Sequence, residues 1–252
     1  MTALLLKLTL APALVAAATH VARRVGHRTA GLVSGLPVVA GPIALIYAVE
    51  QGEAFARVSA AAAVLGITSS VAFCTVYALV ALHARPPAAL VASSAAFACM
   101  TLAFDEVDPP LAVNAAVTLT AIAAGSWLVA RLVDGSRASG PRSDLLAWRL
   151  AITIVLVLAV TAAAGSLSAH LAGLLIPLPV ITAVMAGFTH ARAGAPATVE
   201  MLGGLVLALA SIVTFFVTLA ATLGSADAAT AFALASLASL ACWGVLTLAV
   251  RA

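Results

Sequence analysis

Charge is the scarcest commodity in this chain. Only 8% of its 252 residues are Asp, Glu, Lys or Arg, and aromatic residues make up 5%. An ordinary soluble domain carries about a quarter charged residues. With 64% hydrophobic residues, a water-soluble fold of this size would have too little polar surface to cover its apolar side chains. The excess must face lipid. That excludes a soluble enzyme, a nucleic-acid-binding module and a secreted disulfide scaffold. Cysteine is also scarce. Cys74, Cys99 and Cys242 each sit in an apolar run, without CxxC spacing, and read as small buried residues. His20, His27, His83, His170 and His190 stand at the ends of apolar runs and form no HxxxH or HxxE pair, so neither a metal site nor a cofactor is expected. HExxH, GxSxG and P-loop motifs are missing, so no enzyme chemistry is visible. Nor does any apolar run hold an Asp or Glu deep inside, which argues against a carboxylate-based proton or sodium site.

What is present is a series of long apolar runs, too uniform for the alternation of a membrane barrel. They predict an all-α integral membrane protein of about nine spans: 3–20, 30–48, 57–81, 87–104, 110–130, 146–165, 172–189, 200–223 and 229–250. The first could be taken for a secretory signal. However, its positive charge follows the run, in Arg23, Arg24 and Arg28, so it reads as a membrane helix.

The basic residues are eleven arginines and one lysine. With nine spans, Lys7 and Arg57 fall on one side and the other ten on the opposite side, while six of the nine acidic residues share the side of Lys7. The positive-inside rule then predicts an outside N-terminus and a cytoplasmic C-terminus. Heavy Ala, Gly and Arg usage suggests a bacterial inner-membrane protein.

A polar linker, 131–145, divides the chain just past its middle. Sliding the sequence against itself by 142 residues places Ala30-Gly31-Leu32-Val33-Ser34-Gly35-Leu36-Pro37-Val38 on Ala172-Gly173-Leu174-Leu175-Ile176-Pro177-Leu178-Pro179-Val180, with six of nine positions identical. In the same register Gly52 meets Gly194, Val64-Leu65 meets Val206-Leu207, Ser69 meets Ser211 and Phe73 meets Phe215. Two four-helix repeats, residues 1–104 and 146–252, are therefore expected, joined by a connector helix and linker over 105–145. Five spans separate equivalent helices, so the repeats must cross the membrane in opposite directions, a recurrent plan in secondary transporters.

The second span of each repeat carries glycine and proline at matching places: Gly35, Pro37, Gly41 and Pro42 in one, Gly173, Pro177 and Pro179 in the other. Proline frees backbone carbonyls, which in lipid need a partner or a wet cavity. Such paired interruptions point to a transport site. The expected solute path takes in Ser34, Gly35, Pro37, Gly41, Pro42, Tyr47, Pro177, Pro179 and Thr182, with Asn114 of the connector as a further candidate. Asn114 also reads as interhelical glue, and Tyr47 as an interfacial anchor. Lys7 and Arg149, about one turn inside their spans, are candidate charged gates for an anion, or snorkelling side chains.

The segment Ala30-Gly31-Leu32-Val33 with Pro37, and again Gly173-Leu174 with Pro177 and Pro179, resembles the GlpM-type small bacterial membrane proteins. The resemblance implies a fused, inverted pair of such units and supplies neither substrate nor site residues. A looser similarity links the plan to the drug/metabolite transporters, whose small members carry a carboxylate in the first helix where this chain offers Lys7. The expected function is a secondary transporter of a small anionic or neutral solute, with the lipid bilayer and that solute as partners, no nucleic acid, and self-association left open. The rival is a non-transporting scaffold of envelope assembly.

Overall fold

A computed structural model describes Pro37 and residues 40–133 and 166–251. Within them the chain is helical: α1 Ala40–Glu50, α2 Glu53–Ala81, α3 Pro86–Asp105, α4 Leu111–Leu132, α5 Ala169–Leu175, α6 Val180–Thr222 and α7 Ala228–Arg251. Five of these (α2, α3, α4, α6 and α7) are long and apolar enough to cross a membrane. Helix is the physical answer to such runs, since it satisfies each backbone group within the segment. Short breaks set the ends. Pro86-Pro87 opens α3, Pro110 precedes α4, Ser168 caps α5 through the Leu171 N–H, and Asp227 caps α7 through the Thr230 N–H. Expected spans 1 and 6, the start of span 2 and most of the 131–145 linker lie outside the described residues.

The helix α6 is two arms, 180–193 and 195–222, broken at Gly194, whose φ is 82° and ψ 176°. Gly52, between α1 and α2, has nearly the same backbone, φ 91° and ψ 165°. This left-handed extended region is open almost only to glycine. The positions are 142 residues apart. The same shift carries α1 onto the first arm of α6, α2 onto the second arm, and the start of α3 onto that of α7. It also carries one hydrogen bond onto another: the Pro37 carbonyl accepts from Gly41 N–H at 2.9 Å, and the Pro179 carbonyl from Ala183 N–H at 2.8 Å.

Contacts fix the directions. From α4, Asn114 donates to the Ala61 carbonyl at 3.1 Å and Thr118 to that of Val64 at 2.8 Å, and further along a Cβ on Gly125 would stand 2.7 Å from Val71. The helices α2 and α4 therefore run parallel. Against the second arm of α6 the order reverses: Gly125 faces Val206, whereas Val129 faces Gly203. At one end of α2, Tyr77 meets His190; at the other, Arg57 lies against Gly224. So α2 and the second arm of α6, equivalent in register, run antiparallel. They form the centre. In the most apolar stretch of α2 72% of residues are buried and in α6 67%, against 22%, 28% and 17% in α3, α4 and α7. The outer helices thus present their apolar sides outward, as lipid-facing helices do. The helix directions place Arg85, Arg131 and Arg192 at one end of the bundle. Glu50, Glu53, Asp105, Glu106, Asp108 and Asp227 lie at the other, with Arg57.

One expectation needs correction. The polar gaps expected at 49–56 and 190–199 are nearly closed. Helix resumes at Glu53 and just after Gly194, because one positive-φ glycine turns the chain without a loop. Glu200, placed at the mouth of a span, consequently lies inside the second arm of α6. The span over 172–189, expected to be interrupted at its prolines, is two helices, α5 and the first arm of α6, parted at Ile176–Pro179.

Candidate functional site

The interrupted span is built on small residues of α2. A Cβ on Gly66 would stand 2.6 Å from the Leu174 carbonyl oxygen, and one on Gly173 would collide with the Ser59 carbonyl. Glycine at both places lets the two backbones touch, as in small-residue interfaces of membrane helices. Ser59 Oγ donates to the Ala169 carbonyl at 2.9 Å, tying the first turn of α5 to α2. At the same end, His170 Nε2 donates to the Phe104 carbonyl at 3.1 Å, and its Nδ1 faces Asp108 at 3.7 Å. The loop between α3 and α4 thereby holds the acidic-end terminus of α5.

After Leu175 the helix stops. Ile176 N–H bonds to the Gly173 carbonyl and Leu178 N–H to that of Leu175, tightening the last turn. The Pro177 carbonyl accepts Ser70 Oγ–H at 2.6 Å. Pro179 then begins the first arm of α6. The polar groups opened by the prolines are thus served by short local bonds and by one serine of the neighbouring helix.

Beside the break lies an open groove of about 470 Å³, walled by Phe73 of α2, Ser94, Phe97, Ala98, Thr101 and Leu102 of α3, Leu171 and Leu175 of α5, and Leu178, Pro179 and Ala183. No wall residue is ionisable. The volume lies in the range of small-molecule sites. In the 142 register Phe73 and Ala183, both in the groove wall, correspond to Phe215 and Gly41; a Cβ on Gly41 would stand 3.6 Å from the Phe215 ring.

Of the expected path residues, Pro177, Pro179 and Thr182 gather at the break, and Pro179 faces the groove. Gly41 and Pro42 are buried in the first turn of α1, against the other half. Ser34, Gly35, Lys7 and Arg149 lie outside the described residues. Tyr47 is not an interfacial anchor: it is 1% exposed, edge-on to Phe55 at 5.4 Å, and its hydroxyl has no hydrogen-bond partner. Asn114 is buried between α4 and α2, where its amide bonds Ala61 as interhelical glue. At the basic end Arg131 stacks on Trp127 at 3.7 Å and Arg192 lies over Phe188 at 5.9 Å.

Sequence reasoning missed Phe73, Phe97 and Thr101 as groove walls and Ser70 as the partner of the break. Only the match of Phe73 with Phe215 hinted at one of them; a serine or threonine in an apolar helix carries no local mark of what it faces. No family model, no curated protein and no solved structure matches the chain.

Proposed function

We propose that this protein is a secondary transporter of the bacterial inner membrane, moving a small solute by alternating access between two inverted repeats, 1–104 and 146–252. The observation that carries the reading is the discontinuous span at Ile176–Pro179, which abuts a groove and returns the register of Pro37. Interrupted spans at equivalent places of two halves mark transport sites. Support also comes from the antiparallel course of α2 and the second arm of α6, at one fixed register, and from their central burial. On this reading the end bearing Arg85, Arg131 and Arg192 is cytoplasmic, and the rocking of one repeat against the other exposes the break alternately to the two faces. The uncharged walls of the groove favour a neutral solute over an anion.

Purified protein reconstituted into sealed vesicles tests this. A panel of neutral and anionic organic solutes is presented with and without an imposed proton gradient. Saturable uptake of at least one solute above protein-free vesicles is the expected result. No uptake of any, from protein that still melts cooperatively, would overturn transport in favour of a scaffold.

A further inference from the structure

The first arm of α6, residues 180–193, is held differently at its two ends. Just before it, the Pro177 carbonyl accepts Ser70 Oγ–H at 2.6 Å. Toward the basic end the contacts are polar and long. The Tyr77 hydroxyl of α2 and His190 Nδ1 stand 3.4 Å apart with their rings edge-on at 6.0 Å, and Thr189 Oγ1 donates to Met201 Sδ of the second arm at 3.7 Å. Beyond them the chain turns at Gly194, where a Cβ would meet only Pro196 within 4 Å. The arm is thus a helical link between two joints, a proline break and a positive-φ glycine. Pro179 and Ala183 belong to the groove wall, and one turn on, a Cβ on Gly187 would stand 3.3 Å from Leu90 of α3. That contact separates the groove from the basic end. The repeat supplies a comparison. Its equivalent link is α1, between Pro37 and Gly52, and the 142 register puts Leu219 in place of Tyr77 and Ala48 in place of His190. Those side chains cannot hydrogen-bond. Tyr77 is fully buried, so departure of the arm would leave its hydroxyl unpaired until water followed.

We infer that Tyr77 and His190 are the latch of a gate at the basic end. With their bond made, the first arm of α6 is held against α2 and shuts the groove off from that end. With it broken, the arm swings on the Pro177–Pro179 and Gly194 joints and opens the way. The equivalent link, α1, carries no such latch. That the gate serves a solute path rests on the transport reading; that the arm moves when the bond is lost does not.

The test is a pair of distances measured by pulsed electron–electron double resonance on the full chain in phosphatidylcholine vesicles, with Cys74, Cys99 and Cys242 replaced. Nitroxides at His83→Cys and Ala191→Cys, both exposed, report the arm against the α2–α3 turn. The equivalent positions in the 142 register, Ser225→Cys and Val49→Cys, are also exposed and report α1. Tyr77→Phe keeps the ring and removes only the hydroxyl. It should raise the population of a longer 83–191 distance about three- to tenfold, the worth of one hydrogen bond, and leave the 49–225 distance unchanged. His190→Ala should act in the same direction on the same pair. An 83–191 distance unmoved by both substitutions, or equal broadening of both pairs, would overturn the latch. A longer 83–191 distance in Tyr77→Phe, with no uptake of any solute by the unsubstituted protein, would overturn transport and keep the moving arm. Uptake with both distances unmoved would do the reverse.

Discussion

Single residues in this protein differ in what their surroundings permit, and glycine shows it best. A methyl group on Gly66 would press into the Leu174 backbone, which cannot swing aside, whereas one on Gly244 meets nothing within 4 Å. Gly66→Ala should therefore cost about 1–3 kcal/mol through forced displacement of α5. Gly244→Ala, in a helix interior, should be neutral or gain up to about 1 kcal/mol. Thermal melts in detergent compare the two. Asp227 offers a residue-scale prediction in pH. Its carboxylate accepts the Thr230 hydroxyl at 2.6 Å and the Thr230 N–H at 3.0 Å, and these bonds hold its pKa below the ordinary 3.8. A lowered folded-state pKa means that the cap's contribution is complete above the unfolded value. It is lost as pH falls through the lower, folded one. The wild type should melt higher than Asp227→Ala at neutral pH, with the difference shrinking below about pH 4.

Among the elements, the interrupted span is the one that depends on a neighbour. A continuous helix satisfies itself, but the α5–α6 break leaves the Pro177 carbonyl to Ser70. Ser70→Ala should leave that oxygen without its donor, at a cost of about 1–3 kcal/mol, while Ser70→Thr should restore most of the loss. Melting temperatures of the three proteins decide; an unchanged melt in Ser70→Ala would mean that water serves the break instead. The paired glycine joints work the other way. Gly52 and Gly194 let a helix end and the next begin with almost no loop, so the polar residues around them ride on helix ends rather than in a connecting segment.

For the whole molecule, the sorting of charge along the bundle axis predicts an orientation. His83, between α2 and α3, and Glu106, just past α3, are both exposed and at opposite ends. In a background with Cys74, Cys99 and Cys242 replaced, Glu106→Cys should react with an impermeant thiol reagent in intact cells. His83→Cys should react only after permeabilisation. The opposite pattern would reverse the membrane orientation on which the cytoplasmic assignment stands.

The sequence by itself determined the class of solvent this protein meets, because 64% hydrophobic residues and 8% charged ones leave no soluble solution. It also determined the cores of the described spans and the 142-residue register, since glycine and proline act on their own backbone. Gly52 and Gly194 adopt one shared conformation for that reason, and the carbonyls of Pro37 and Pro179 accept equivalent backbone hydrogen bonds. Even the place where a span would be interrupted was legible at Pro177 and Pro179. Only the tertiary structure decided what the interruption faces. The bond from Ser70 to Pro177, the bond from Ser59 to Ala169 and the groove wall shared by Phe73 and Ala183 join residues far apart in the chain. In a membrane helix that is apolar on every side, no periodicity marks which face turns to lipid and which to protein. That choice falls to close packing between helices, where a glycine such as Gly66 or Gly173 lets one backbone come within reach of another.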